Sequence, residues 1–148
     1  MTEYSIRKTK PEDLAEIASM EQSIFSEAWT LDGFRDALSR EDNIFLSIES
    51  GEKIAGYALC YGMVDEGEIP TIAVGEKYRK RGLGEALLTE LIKEAQKQGI
   101  RKIFLEVRRS NQGAQHLYHK CGFEKVGERK NFYRFPQEDA ILMAYEMR

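Results

Sequence analysis

Val74-Gly75-Glu76-Lys77-Tyr78-Arg79-Lys80-Arg81-Gly82-Leu83-Gly84 is the stretch whose reading decides the fold. The apolar run at residues 69–74 enters it and a periodic amphipathic segment leaves it, so it reads as strand, basic turn, helix. Glycines let a backbone come close to a ligand, the first turn of a helix has unpaired N–H groups, and the helix dipole favours negative charge. Lys77, Arg79, Lys80 and Arg81 add side-chain cations. The turn is therefore a candidate anion site. A solvated loop whose glycines serve only the turn is the plain alternative, and four basic residues within five positions count against it.

Outward from this turn, residues 82–98 carry Leu83, Ala86, Leu87, Leu88, Leu91, Ile92 and Ala95 on one broad helical face, and Gly99 ends the helix. Ile103-Phe104-Leu105-Glu106-Val107 then reads as a short buried strand with one acid embedded in it. Strand, helix, strand at this length predicts a right-handed crossover, hence a parallel pair between residues 68–74 and 102–107. Pro70 lies inside the first of these strands. Proline lacks the ladder donor, so it belongs at an edge, a bulge or a point where strands diverge, and a sheet splayed there opens a slot for a ligand.

Upstream, residues 4–7 alternate like an opening strand, and Lys10-Pro11-Glu12-Asp13 starts a helix running from Leu14 to about Phe25. Thr30 caps a second helix with Leu31, Phe34, Ala37 and Leu38 on its apolar face. The loop between them carries Phe25 and Trp29, which either line a cleft or cover the core. Residues 44–49 and 53–63 form a hairpin about a turn at 50–52, and a further turn is expected at Asp65-Glu66-Gly67. Downstream, Asn111 caps a helix through Cys121, with Ala114, Leu117, Tyr118 and Cys121 on one face, and Gly122 closes it. Residues 123–128 and 140–147 read as final antiparallel strands joined by a long polar connection, 129–139. The sum is an α/β fold over a single domain, residues 1–148. Its sheet is mixed, largely antiparallel and seven-stranded, with a central parallel pair and about four helices.

Composition narrows the function classes. A net charge of -3 does not suit non-specific nucleic-acid binding, which makes the basic cluster at 77–81 stand out as a local feature. No apolar run approaches the roughly 20 residues of a membrane span, and residues 1–5 lack the pattern of a signal peptide, so a cytoplasmic location is expected. Cys60 and Cys121 lie far apart inside apolar patterns, without metal-ligand spacing; they read as reduced thiols, and no metal is expected. Gly82-Leu83-Gly84-Glu85 has no glycine-lysine-serine/threonine ending, which excludes a phosphate-loop nucleotidase.

Three segments in order, Arg79-x-x-Gly82-x-Gly84, Leu105-Glu106-Val107-Arg108-x-Ser110-Asn111 and Leu117-Tyr118-x-x-x-Gly122-Phe123, resemble the GCN5-related N-acetyltransferases (GNAT). The resemblance spans the chain in element order. Together with the late Lys130-Asn131-Phe132-Tyr133 and Glu138-Asp139-Ala140 segments it is similar, more narrowly, to the bacterial ribosomal-protein alanine N-acetyltransferases, which acetylate a protein's α-amino group. The resemblance implies that Ile72, Ala73 and Val74 present backbone groups to the acetyl and pantetheine portion of acetyl-CoA. It implies that Arg79, Lys80, Arg81, Gly82, Leu83, Gly84 and Glu85 wrap the pyrophosphate, and that Asn111 also contacts the cofactor. It implies Glu106 as general base, Tyr118 as general acid, and Trp29, Asn131 and Tyr133 toward the acceptor. A monomer acting on an alanine-starting ribosomal protein is expected. Phe132 stands where a tyrosine is expected, and Glu85 where a basic residue is common.

The residue chemistry suits these roles. An α-ammonium has a pKa of about 8, so a carboxylate must take its proton before nitrogen attacks a thioester; a phenol with a pKa of about 10 can protonate or hydrogen-bond the expelled thiolate. Glu68, on the paired strand, is a rival base, and His116 and His119 read as surface residues. Acetylation of a small amine or a lysine side chain, or a non-catalytic module that senses CoA, remain as alternatives.

Overall fold

The computed structural model describes residues 3–148. Strand β1 (Ser5–Lys8) leads through a 3-10 turn (Pro11–Asp13) into helices α1 (Leu14–Ile24) and α2 (Leu31–Ser39). Strands β2 (Ile44–Ser50), β3 (Lys53–Met63) and β4 (Glu66–Val74) follow as a meander, then a 3-10 turn (Glu76–Tyr78) and helix α3 (Leu83–Lys97). Strand β5 (Lys102–Arg108), helix α4 (Gln112–Lys120) and strands β6 (Glu124–Arg134) and β7 (Gln137–Glu146) complete the chain. The seven strands form one sheet in the order β1-β2-β3-β4-β5-β7-β6. Only β4 and β5 run parallel. The expected mixed seven-stranded sheet, parallel pair and four helices are all present.

Local chemistry sets the element ends. Thr30 accepts the Gly33 N–H at 3.1 Å and Asn111 the Ala114 N–H at 3.1 Å, so each side-chain oxygen satisfies an amide that its helix cannot. Asp13 accepts the Lys10 N–H at 2.7 Å and is held by Arg7 at 2.7 Å, which ties the start of α1 to β1. Two apolar cores flank the sheet. Under α3 and α4, Leu87, Leu88, Leu91, Ile103, Leu105, Tyr118 and Phe123 pack together; under α1 and α2, Ile17, Phe34, Phe45, Tyr57 and Leu59 do so.

The parallel pair is short. Only Glu66, Gly67 and Glu68 pair with Lys102, Ile103 and Phe104, after which the strands part. On its other side β4 carries a bulge: Leu59 faces Thr71 and Tyr61 faces Glu68, so Ile69 and Pro70 both stand opposite Cys60. The extra residue reverses which side chains face which helices. Ile69 packs with the α3 core before the bulge, Ile72 and Val74 do so after it, and Ala73 joins the α1 core. Pro70 therefore sits at both of the places that its missing N–H permits, a bulge and a divergence.

Two expectations are corrected. Residues 129–139 are not a long polar connection: β6 and β7 pair from Glu124–Ala144 to Arg134–Gln137 as a hairpin turning at Phe135-Pro136, with irregularities at residues 125–127 and 129–133. β6 is an edge strand exposed along almost its whole length, so it needs no alternating apolar residues and shows none. The turn expected at 65–67 falls instead at Val64-Asp65, with Val64 at φ +59° and fully in solvent, and β4 begins at Glu66.

Candidate active site

The basic turn is built as a cradle. Its entry is fixed by the Gly75 N–H, which donates to the Ala55 carbonyl at 2.8 Å, and by Arg79 Nε, which donates to the Val74 carbonyl at 3.0 Å. Lys80 at φ +64° and Gly82 at φ +78° then curl the chain into α3. The first helical bond runs from the Ala86 N–H to the Gly82 carbonyl at 3.1 Å, so the N–H groups of Leu83, Gly84 and Glu85 have no carbonyl within the helix to meet. A Cβ on Gly82 would point into open space, whereas one on Gly84 would come within 3.2 Å of Leu117 Cδ2. Gly82 thus serves the backbone turn and Gly84 the close packing of α3 on α4. Lys80, Arg81 and Gly82 are exposed. Glu85, the acid where a base is common, is paired with Lys120 of α4 at 3.2 Å, so the local field stays positive. Three outward amides with basic side chains around them fit a pyrophosphate.

The split between β4 and β5 opens the other half of the site. On β5 the side chains of Ile103, Leu105 and Val107 enter the α3 core, which leaves Phe104, Glu106 and Arg108 on the opposite face. On that side of the sheet α1 packs over β3 and α2 over β2. Glu106 sits there with its side chain 15% exposed and its Oε2 held by Arg129 Nε at 2.8 Å. Burial, and then the neighbouring Glu68 carboxylate, push the Glu106 pKa above the usual glutamate range, and Arg129 offsets part of this. A carboxylate so raised is a stronger proton acceptor than a free one.

Tyr118 reaches the split from α4. Burial, then Tyr133 and Cys121, push its pKa upward, so its hydroxyl keeps its proton at neutral pH. That hydroxyl makes none of the side-chain hydrogen bonds among the described residues, yet no buried polar atom there is unpaired, so the oxygen opens onto accessible space. Tyr133 is also raised, to about 12, by burial first and then by the Glu106 charge. Glu68, Glu106, Tyr133 and Tyr118 are therefore electrostatic neighbours in one region.

The remaining expected site residues are placed less simply. Asn111 spends its carbonyl oxygen on the α4 cap and is exposed; the contacts of α4 with the cradle come instead from Leu117 and Lys120. Asn131 sits in a β6 bulge at φ +55°, its N–H donating to Asp139 at 2.8 Å. Trp29 lays its ring on Phe34 and Tyr61, with centroids 5.4 and 5.7 Å away, and so covers the α1 core. Three participants are not apparent from the sequence. Arg129 holds the base; Arg108 ties two loops together; and Glu21, on the inner face of α1, accepts bonds from Tyr57, Thr71 and the Trp29 N–H. Their partners lie up to 82 residues away, which no spacing rule reveals.

A mixed sheet that splits after a parallel start, with an anion cradle at one mouth and a proton-accepting carboxylate on the face opposite α3, defines an acyl-transfer enzyme that brings two substrates together across the sheet. Residues 12–123 match the Acetyltransferase (GNAT) family, and the chain belongs to it: it is an N-acetyltransferase. The Escherichia coli (strain K12) ribosomal protein bS18-alanine N-acetyltransferase is 34% identical over 142 residues, 95% of each chain. The Haemophilus influenzae protein of the same name is 33% identical over 135 residues, 89% of this chain and 91% of that one. The crystal structure of the Escherichia coli ribosomal-protein-S18-alanine N-acetyltransferase superposes with a TM-score of 0.90 at 33% identity, covering 97% of this chain and 94% of that one. Arabidopsis thaliana NAA60 in complex with acetyl-CoA shares the fold alone, with a TM-score of 0.90 at 22% identity over 98% of this chain and 100% of that one.

Proposed function

We propose that this enzyme transfers the acetyl group of acetyl-CoA to the N-terminal α-amino group of a protein, with the alanine that begins ribosomal protein bS18 as the acceptor. The observation that carries this reading is Glu106: a largely buried carboxylate of raised pKa on the sheet face opposite α3. The relatives named for bS18 match along nearly the whole chain and supply the acceptor. They also disfavour a small-amine acceptor or a non-catalytic CoA sensor. The whole chain reads as one domain, active as a cytoplasmic monomer without metal or nucleic acid.

Acetyl-CoA supplies an activated thioester. The N–H groups of Leu83, Gly84 and Glu85, with Arg79, Lys80 and Arg81, hold its pyrophosphate, and Asn111 contacts the cofactor. Beyond Glu68 β4 has no β5 partner, so those backbone groups of Ile72, Ala73 and Val74 that do not pair with β3 are available to the pantetheine arm and the acyl oxygen. Glu106 accepts the proton of the α-ammonium; Arg129 orients the carboxylate through Oε2. Tyr118, kept protonated by burial, donates a hydrogen bond that stabilises the departing thiolate. Tyr133, Asn131 and Trp29 lie around the acceptor.

The test is a panel of peptides that differ only in their first residue, with N-terminally blocked lysine peptides and small amines, each mixed with acetyl-CoA while free thiol is followed. Turnover of free α-amino peptides, highest for the bS18 sequence, is expected. Turnover confined to the blocked peptides or to small amines would refute the reading.

A further inference from the structure

Arg108 ends β5 on the same face as Glu106, two residues further along the strand. Its guanidinium serves two separate segments. Toward the β6–β7 hairpin, Nη1 donates to the Pro136 carbonyl at 2.9 Å and to Glu138 at 3.1 Å, and Nη2 donates to the Phe135 carbonyl at 3.2 Å. The same group lies 4.3 Å over the Tyr133 ring. Toward the α1–α2 loop, Nη2 reaches Ser26 Oγ at 3.3 Å and Glu27 at 3.8 Å. Among the described residues, the hydrogen bonds and ion pairs that join the α1–α2 loop to the hairpin tip all pass through this side chain. It is only 22% exposed, so the charge is partly desolvated and its hydrogen bonds matter more than a surface pair would.

The two arms differ in strength. The hairpin arm has three hydrogen bonds to oxygen and a cation–π contact, and Glu138 is fixed in turn by the Ser110 N–H at 2.6 Å. The loop arm is longer, and it ends on Glu27, whose side chain is 35% exposed. An ion pair at the edge of contact distance, with one partner open to solvent, is weak and screened by salt. Arg108 thus belongs firmly to the hairpin and holds the loop loosely, as a clasp beside Glu106.

We propose that Arg108 is the positioning residue for the acceptor: it fixes the separation of the α1–α2 loop and the β6–β7 hairpin, the two walls between which the amine is delivered to Glu106. This rests on the acceptor entering on the Glu106 face. A guanidinium is required because one side chain must meet carbonyls, a carboxylate and an aromatic face together, which the point charge of lysine cannot do. Misplacing the walls lowers the probability of a productive pose while leaving the cradle on the far mouth untouched.

The experiment compares wild type with Arg108→Lys and Glu27→Gln by steady-state kinetics on the acceptor peptide, calorimetry with acetyl-CoA, and amide hydrogen exchange of the free protein. For Arg108→Lys the expected result is an acceptor KM raised about tenfold, roughly 1.4 kcal/mol. Its kcat should stay within about threefold and its acetyl-CoA Kd unchanged. Exchange should be faster in residues 25–30 and 132–137 but not in α3. Glu27→Gln should raise KM by about two- to threefold and flatten its dependence on salt. An unchanged acceptor KM, unchanged exchange in both walls, or an acetyl-CoA Kd that weakens in step with KM would overturn the proposal. If wild type acetylates only lysine or small amines, the N-terminal reading fails by itself; the clasp is then judged by the same comparison on the amine that is turned over.

Discussion

Glu21 offers the sharpest test of how the acceptor side is held together. Its carboxylate is 2% exposed and meets three donors: Tyr57 Oη and Thr71 Oγ1 at 2.7 Å on Oε1, and the Trp29 N–H at 3.1 Å on Oε2. One side chain thereby joins α1 to β3, to β4 just past the bulge, and to the α1–α2 loop. Glu21→Gln keeps the volume but replaces one acceptor oxygen with a donor. If Nε2 faces Trp29, that backbone N–H is orphaned; if it faces the hydroxyls, their own protons lose an acceptor in a dry site. Either way at least one buried donor goes unpaired, which costs about 1–3 kcal/mol. Taking 2 kcal/mol, a chain of this size should melt roughly 4–8 °C lower. Tyr57→Phe removes one donor cleanly and should cost less. In the double variant the two losses should fall short of their sum, because one hydroxyl no longer competes for an acceptor. Trp29 is the only tryptophan, so its fluorescence reports both global unfolding in urea and the state of the loop. A Glu21→Gln protein within about 0.5 kcal/mol of wild type, with unaltered Trp29 emission, would refute the argument that this network fixes the loop.

Further outcomes follow from the site. Because the Glu106 pKa lies above the ordinary glutamate value, the carboxylate protonates early as pH falls, and the acid limb of kcat/KM should lie above the usual glutamate range. Removing the like charge with Glu68→Gln should move that limb down, and removing the cation with Arg129→Gln should move it up; a limb unmoved by both would show that Glu106 is not the base. Tyr118→Phe should lower kcat by about 10²-fold or more with acetyl-CoA Kd unchanged by calorimetry, and an unchanged kcat would remove the donor role. Gly82→Ala should cost roughly 1 kcal/mol through its positive φ alone, since no atom lies near the added Cβ, while Gly82→Asn should cost less. Thermal melts of the two proteins check this, and equal losses would point to sterics instead.

What could be read from the sequence was whatever has a local cause. Periodicity placed α3 and its buried face, Thr30 and Asn111 announced their helices by capping, and Pro70 marked the split because its missing N–H restricts where a strand can tolerate it. The first half of β6 was read as a strand, but its continuation through residues 129–134 was hidden because an edge strand, exposed along nearly all its length, has no reason to alternate. Glu21 looked like one position on an amphipathic helix, and its burial makes sense only once donors from residues 29, 57 and 71 converge on it. Arg129 was likewise an unremarkable charge in a polar segment, and Arg108, though part of the Leu105 to Asn111 motif, carried no sign of its contacts. Their partners arrive through the β5–β7–β6 order, in which the last strand of the chain inserts between the other two.

The bulge at Ile69-Pro70 links these observations. A strand that alternates strictly would send the even-numbered residues Glu68, Ile72 and Val74 to one face. The extra residue instead turns Glu68, Thr71 and Ala73 toward the α1 side and Ile72 and Val74 toward α3. Pairing with β5 ahead of the bulge places Glu68 near Glu106, and the bulge then gives Glu21 its Thr71 partner and keeps the apolar side chains beside the cradle packed under α3. The bulge falls where pairing with β5 stops, so the slot and the division of labour between its two mouths arise at the same residues. The cradle at 79–85 is the conspicuous half of the site in the sequence, but the bulge ahead of it aligns the donor's mouth with the acceptor's.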